Sequence, residues 1–173
     1  MAAGTNTNNQ RMATMDTNTK GDISMACVVA ELTKRGISVS VPYTDNKRYD
    51  LIMDYNSKLY RMQVKTILYK PENNGLMMFK TVSSNTTKTK GYYERRYRHG
   101  EIEGFLAYCI ELDKVYLAWI GEVPLGRFSM RINEALNGQK QRIRYAHEYE
   151  LDRKLSELGG SFTAVNKRGS VQR

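Results

Sequence analysis

Residues 49–66, YDLIMDYNSKLYRMQVKT, decide how this chain folds, because they hold two strand-like runs on either side of a turn. If Asn56 and Ser57 form a two-residue loop, Tyr55 lies opposite Lys58. Each residue before Tyr55 then pairs with the residue that lies the same number of positions after Lys58. Asn-Ser is a weaker turn signal than Asn-Gly, and a three-residue loop would shift the pairing by one residue. The stretch therefore predicts an antiparallel hairpin with a preferred register.

That register brings three polar side chains together. Asp50 lies opposite Gln63, and Lys65 follows one pleat further along the same face. Directly opposed residues have Cβ atoms about 4.5–5.5 Å apart, so a carboxylate, an amide and an ammonium converge within reach of one ion and one phosphate. The alternative is an ordinary edge hairpin with a solvated polar face. Against it, an unpaired lysine in such an apolar strand would be costly.

The flanking sequence predicts one helix and several strands. Residues 21–36, GDISMACVVAELTKRG, have the apolar spacing of a helix, with Asp22 near its start and Gly36 at its end. Strands are predicted in ISVSVPY, GLMMFKTVSS, GFLAYCIEL and KVYLAWIGEV, and the last two meet in a second hairpin at Asp113. SMRINEAL and RYAHEYELDRKL suit either strand or helix. This order of elements predicts an α/β or α+β sandwich.

The length of 173 residues suits a single domain. Residues 1–19 and 159–173 are predicted to be a disordered leader and a basic flexible tail, which leaves one domain at 20–158. No stretch of ~20 apolar residues and no signal peptide is present, so we expect a soluble, cytoplasmic protein without a membrane partner. Cys27 and Cys109 lie in apolar runs and are predicted to pack in a reduced core.

Positive charge is in excess, with 27 Lys and Arg against 18 Asp and Glu and a net charge of +9. This favours a polyanionic partner, nucleic acid first, over a merely basic surface. Residues 86–98 and 127–144 carry much of the excess, and we interpret the first as a long polar loop that enters a DNA groove. Neither G-x-G-x-x-G nor a Walker-type loop occurs, so no nucleotide cofactor is expected. The candidate DNA-binding residues are Lys88, Lys90, Arg95, Arg96, Arg98, Arg131, Lys140 and Arg142.

Three segments carry a resemblance to a known family: residues 20–36, KGDISMACVVAELTKRG; residues 41–53, VPYTDNKRYDLIM; and residues 59–66, LYRMQVKT. Together they resemble the PD-(D/E)xK nuclease superfamily, and specifically its group I intron-associated homing endonucleases. The resemblance extends over residues 20–151. It implies an α/β, restriction endonuclease-like core with a mixed central sheet flanked by helices.

The resemblance also implies roles for the hairpin residues. Asp50 corresponds to the metal-binding carboxylate, Gln63 to a variant of the second acidic position and Lys65 to the catalytic lysine. Gln63 would add its amide oxygen to the metal ligands or orient the water, and the carbonyl of Val64 would be a further metal ligand. Oxygen ligands without nearby His or Cys favour Mg²⁺, with Mn²⁺ as the alternative. The chain departs from the family at Met25, where a Glu is usual, and this departure predicts weak metal binding.

Two acidic residues of the first helix are candidates to replace the missing Glu. Glu31 is six residues beyond Met25, about 240° around the helix, and therefore points away from it. Asp22, one turn earlier, is roughly 60° from Met25 and is the better candidate. A simple role for Asp22 at the helix N-terminus is equally compatible with its position.

These features predict a Mg²⁺-dependent, site-specific endonuclease of the homing type that cuts double-stranded DNA. Because cutting both strands takes two active sites, a homodimer or homotetramer is expected by analogy. One alternative is a DNA-binding protein on the same fold that has lost cleavage through Met25. The other is a junction-resolving or repair nuclease, since related folds process branched DNA.

Overall fold

The computed structural model describes residues 15–44, 46–87, 89, 91–134 and 143–159. Helix α1 spans Thr17–Lys34, and the Asp16 carboxylate caps it by accepting hydrogen bonds from the backbone N–H groups of Asn18 and Thr19 at 2.9 and 3.0 Å. The helix thus begins inside the predicted leader, because Asp16 satisfies amides that the first turn leaves without partners. The rest of the leader up to residue 14, and the tail from residue 160, lie outside the described residues.

Within the described residues the chain also forms ten strands, a short 3₁₀ turn at Ala146–Glu148 and helix α2 at Leu151–Ser156. The strands are β1 (Ser38–Ser40), β2 (Leu51–Tyr55), β3 (Lys58–Thr66), β4 (Leu68–Lys70), β5 (Leu76–Lys80), β6 (Val82–Thr87), β7 (Gly91–Arg96), β8 (Gly104–Cys109), β9 (Lys114–Trp119) and β10 (Arg127–Arg131).

The central sheet has five strands in the order β1-β2-β3-β8-β9. Strands β3 and β8 are parallel, and the other neighbours are antiparallel. The predicted mixed central sheet is therefore confirmed. A parallel pair needs a long crossover connection, and here the connection contains β4 to β7.

The hairpin of β2 and β3 has the predicted register, with Leu51 opposite Met62 and Tyr55 opposite Lys58. Asn56 and Ser57 both have positive φ, 52° and 59°, as a two-residue type I′ turn requires. The backbone N–H of Asp50 donates to the carbonyl of Met62 at 2.9 Å, so the pairing continues beyond β2. The side chain of Asp50 is thereby directed to Gln63.

Both faces of the central sheet are buried, each in its own core. Helices α1 and α2 cover one face, and Cys27 packs against that first core. A three-stranded sheet of order β10-β5-β4 covers the other face, where Phe79 packs against Phe105 at 5.7 Å between ring centroids. Cys109 is buried in this second core. In the described part of the chain, helices thus flank the sheet on one side only. The prediction that the cysteines pack in the interior is confirmed.

Two predicted segments take a definite form. The ambiguous run SMRINEAL begins in β10, and RYAHEYELDRKL forms the 3₁₀ turn and α2. The interpretation of residues 86–98 as a long loop is wrong. Gly91–Arg96 forms β7 and pairs with β6 in an antiparallel ribbon. Thr and Tyr residues in that segment favour extended backbone. No helix in the described part of the chain is long and apolar enough to cross a membrane.

Candidate active site

Asp50 is held in place by the hairpin it precedes. Its Oδ2 accepts hydrogen bonds from Gln63 Nε2 at 2.5 Å and from the backbone N–H of Val64 at 2.7 Å. Both bonds end on Oδ2, so Oδ1 is left for another partner. Burial raises the pKa of Asp50, while the Val64 N–H, the charge of Lys65 and the Gln63 amide favour the ionised form and oppose that rise.

The backbone of Val64 faces Asp50. In a strand, the N–H and C=O of one residue point to the same side. Because the N–H of Val64 donates to Asp50, its carbonyl oxygen is also directed to the Asp50 side of β3. A carboxylate oxygen and a backbone carbonyl therefore lie on the same side of the strand.

Lys65 is the cation whose charge acts on Asp50. Its Nζ donates a hydrogen bond to Tyr97 Oη at 3.3 Å and lies 5.3 Å from the centroid of the Tyr97 ring. Burial lowers the pKa of Lys65, the Asp50 carboxylate raises it, and the charges of Arg48 and Lys80 lower it further. The ammonium is thus held among groups that restrict its position.

These side chains border one cleft of about 730 Å³. Asp50, Val64 and Lys65 line it from the hairpin, and Asp22 and Met25 line it from α1. Gln63 is not a lining residue and reaches the site through its bond to Asp50. The remaining lining residues are Thr17, Gly21, Ser24, Val41, Pro42, Thr44, Lys47, Tyr49, Thr66, Lys80, Val82 and Ser84.

A polar contact that the sequence interpretation missed brings α1 to the hairpin. The buried Ser24 Oγ donates to the carbonyl of Lys20 at 2.8 Å and lies 2.7 Å from Thr66 Oγ1. Small side chains let the helix and β3 approach closely, which places Met25 beside the cleft. A serine within the apolar stripe of the helix was the only signal of this contact in the sequence.

The acidic residues of α1 lie where helical geometry predicts. Asp22 lines the cleft, whereas Glu31 forms ion pairs with Lys34 and Arg35, both at 2.6 Å, near the far end of the helix. Among the residues that the structure describes, the carboxylates that line the cleft are those of Asp22 and Asp50. Across the residues that the structure describes, no group of three or more His, Cys, Asp or Glu side chains gathers in one place.

The ribbon of β6 and β7 forms part of the cleft wall through Val82 and Ser84. Every described residue of β7 is exposed, including Arg95 and Arg96, and Arg98 is exposed just beyond it. Arg131 is partly buried on β10. The other candidate DNA-binding residues, Lys88, Lys90, Lys140 and Arg142, lie outside the described residues.

Arg48 is a further residue that the sequence did not single out. Its Cζ lies 4.3 Å from the centroid of the Tyr97 ring, and Nη1 donates to Ser83 Oγ at 2.8 Å. Nη2 donates to the carbonyl of Arg96 at 3.0 Å. These contacts span elements that are distant in sequence, so no local pattern indicates them.

Comparison with known proteins identifies the family. Residues 15–152 match the family model described as PD-(D/E)XK endonuclease. This chain belongs to the PD-(D/E)XK endonuclease family. The matched range includes α1, the hairpin and the ribbon, so the resemblance to the PD-(D/E)xK nucleases is confirmed. PD-(D/E)XK nucleases typically use divalent metal ions.

A solved structure shares the fold. The structure of a bacterial homing endonuclease, I-Ssp6803I, matches with a TM-score of 0.65 and 22% sequence identity, over 90% of this chain and 100% of that chain. The restriction endonuclease-like α/β core is therefore confirmed for this PD-(D/E)XK protein. No curated protein matches the chain.

Proposed function

We propose that this chain is a Mg²⁺-dependent, site-specific endonuclease of the homing type, associated with group I introns, that hydrolyses double-stranded DNA. The observation that carries this proposal is the convergence of the Asp50 carboxylate and the Lys65 ammonium on one cleft of a PD-(D/E)XK family member. An exposed, arginine-bearing ribbon beside that cleft supports DNA as the substrate.

The oxygen atoms at the cleft fit a hard divalent cation. Asp50 would hold the ion through Oδ1, which its hydrogen bonds to Gln63 and Val64 leave available, and Val64 would add its carbonyl oxygen. Mg²⁺ usually keeps several waters and binds through one or two carboxylates plus substrate phosphates, so this small ligand set suits Mg²⁺, with Mn²⁺ as the alternative. When bound, the ion supplies Lewis-acid polarisation of the scissile phosphate.

The protein's own groups have separate tasks in this reaction. Gln63 and the N–H of Val64 fix the orientation of the Asp50 carboxylate and favour its ionised form. Lys65 places its ammonium against the phosphoryl oxygens and stabilises the charge that develops on them. Because the ammonium is partly shielded from water, this stabilisation is stronger than it would be in bulk solvent.

DNA binding is assigned to the cationic residues outside the cleft. Arg95, Arg96 and Arg98 would contact backbone phosphates, and the remaining predicted contacts are Lys88, Lys90, Arg131, Lys140 and Arg142. Because both strands must be cut, we infer a homodimer or a homotetramer. We place the enzyme in the cytoplasm, together with its DNA.

Cleavage of duplex DNA tests the proposal. A pool of plasmids carrying fragments of the source genome would be incubated with the wild-type chain and with Lys65→Ala, in Mg²⁺, in Mn²⁺ and in a chelator. We expect metal-dependent cuts at a discrete site and a loss of roughly 10²-fold or more in Lys65→Ala. Lys58→Ala, at the hairpin turn, is the matched control and should cleave normally.

Two outcomes contradict the proposal. Wild-type rates in Lys65→Ala would show that the reaction does not use this lysine. Faster cleavage of a four-way junction than of the plasmid site would identify a junction nuclease instead.

One observation favours a second candidate, a DNA-binding protein that does not cleave. Met25 presents an apolar side chain to the cleft, at the position where the resemblance implies a Glu. Two results together would establish this candidate. The wild-type chain would bind the plasmid site without cleaving it in any divalent cation, and Met25→Glu would cleave it.

A further inference from the structure

Tyr97 joins the ribbon to the lysine of the cleft. It directly follows β7 and is only 8% exposed, with its ring packed edge-on against Phe105 at 5.4 Å between centroids. Its hydroxyl accepts the hydrogen bond from Lys65 Nζ at 3.3 Å. Burial raises the pKa of Tyr97 to about 12, so the hydroxyl stays neutral while its oxygen accepts the hydrogen bond from the ammonium.

Arg48 also contacts Tyr97. Its guanidinium lies over the Tyr97 ring, and its Nη1 and Nη2 groups bind Ser83 on β6 and the carbonyl of Arg96 on β7. One cation therefore contacts both strands of the ribbon at their base. Only one residue, Tyr49, separates Arg48 from Asp50 along the chain, so the same short segment supplies the carboxylate and the clamp.

A shared carboxylate extends this network to the exposed arginines. Glu101 accepts hydrogen bonds from Arg95 Nη2 at 2.7 Å, from the backbone N–H of Arg98 at 3.1 Å and from Arg48 Nε at 3.5 Å. A phosphate bound by Arg95 would therefore act on a group that also holds Arg48. The chain of contacts runs without a break from the exposed ribbon to Lys65.

We propose that Tyr97 is a positioning residue for Lys65, and that Arg48 couples Tyr97 to the ribbon so that seating of the ribbon on DNA sets the position of the ammonium. This inference rests on the proposed function, which gives Lys65 its role. Lysine has a flexible stem that loses rotamer entropy when it is fixed. A neutral hydroxyl beside the cleft fixes Nζ without neutralising it.

The position of the ammonium is tested without any cleavage assay. In ¹⁵N-detected spectra of lysine ammonium groups, the Lys65 signal is assigned by its loss in Lys65→Ala. Tyr97→Phe keeps the ring and removes only the hydroxyl, so we expect the Lys65 ammonium protons to exchange with water severalfold faster. Arg48→Met should have the same effect. Tyr55→Phe, which alters a tyrosine packed against the first core, is the control.

Single-turnover cleavage supplies the functional readout. Because a hydrogen bond to a charged group is lost, Tyr97→Phe should cleave roughly 10- to 100-fold more slowly than wild type. Its affinity for the DNA should be unchanged, and Tyr55→Phe should match wild type in cleavage rate and affinity.

The outcomes separate the two proposals. Unchanged exchange and unchanged cleavage in Tyr97→Phe would overturn the positioning role, even if Lys65→Ala is inactive. Unchanged exchange in Arg48→Met would overturn the coupling to the ribbon. Faster exchange in Tyr97→Phe with full cleavage by Lys65→Ala would support the positioning contact and overturn the proposed function instead.

Discussion

Met25 and Asp50 line the same cleft from two different elements, Met25 from α1 and Asp50 from the start of the hairpin. The preceding residue of the helix, Ser24, is hydrogen-bonded to Thr66 of β3, which fixes how α1 lies against the hairpin. The side chain at position 25 therefore borders the same cleft as the carboxylate that would bind a cation. An apolar group at this point leaves the cleft with fewer oxygen ligands.

Met25→Glu should strengthen divalent cation binding. A second carboxylate beside Asp50 adds an oxygen ligand and a negative charge, so we expect the Kd for Mg²⁺ to fall by about tenfold or more, equivalent to about 1.4 kcal/mol. Isothermal titration with Mg²⁺ and Mn²⁺ measures this change.

Met25→Gln is the matched control, because Gln is similar to Glu in shape and is also polar, but it carries no charge. A Kd for Met25→Glu equal to that of wild type would show that position 25 does not reach the cation. A lower thermal midpoint is expected in both variants, since Met25 packs against the first core.

Gln63→Leu should shift the acid limb of the pH–rate profile to higher pH. Burial raises the pKa of Asp50 and the Gln63 amide opposes that rise, so removal of the amide raises the pKa further. Asp50 must be ionised to hold a cation, and it becomes protonated as the pH falls through its pKa. Cleavage should therefore fail at a higher pH in Gln63→Leu than in wild type. An acid limb at the same or lower pH would contradict the role given to Gln63.

The double substitution Arg96→Ala, Arg98→Ala should weaken binding to all DNA sequences alike. Each lost phosphate contact lowers the slope of log K against log salt by about 0.9, so the pair should lower it by about 1.8. Binding isotherms over a range of salt concentrations measure the slope. Arg153→Ala is the control, because it removes an exposed arginine of α2 that is not part of the ribbon. It should leave the slope unchanged. A wild-type slope in the double variant would mean that the ribbon does not bind phosphates.

Ser57→Gly should stabilise the hairpin. Ser57 has a φ of 59°, and a left-handed conformation costs a non-glycine residue about 1 kcal/mol. Glycine removes this cost but loses more entropy on folding, so we expect the free energy of unfolding to rise by about 0.5 kcal/mol. Urea unfolding measures the difference, and Ser57→Ala should show no gain. A loss of stability in Ser57→Gly would mean that the turn is not of type I′.

The hairpin could be predicted from the sequence because its information is local. Strand periodicity and the Asn56-Ser57 turn set the register, and the register alone brings Asp50 to Gln63. The direction of Glu31 away from the cleft also followed from helix geometry. Short-range rules suffice where the residues that meet are joined by one turn or one helix.

Contacts between distant segments could not be predicted in this way. Tyr97 meets Lys65 and Arg48 only because the chain leaves the central sheet after β3 and returns at β8. The three-stranded sheet that covers the second core depends on the pairing of β10 with β5, which no local pattern indicates. Residues 86–98 were interpreted as a loop because they are rich in charged and polar side chains, and Gly91–Arg96 is exposed along its whole length.

Substitution of Asp50 by Asn tests the central claim, that the cleft beside the hairpin is the reaction centre. Asn keeps the shape and an oxygen that can accept from the Val64 N–H, so folding and DNA affinity should match wild type. The measurement is the single-turnover rate of plasmid cleavage in Mg²⁺ at saturating enzyme. We predict that Asp50→Asn binds the site normally and that its cleavage rate falls by roughly 10²-fold or more. Cleavage by Asp50→Asn at the wild-type rate would contradict the claim.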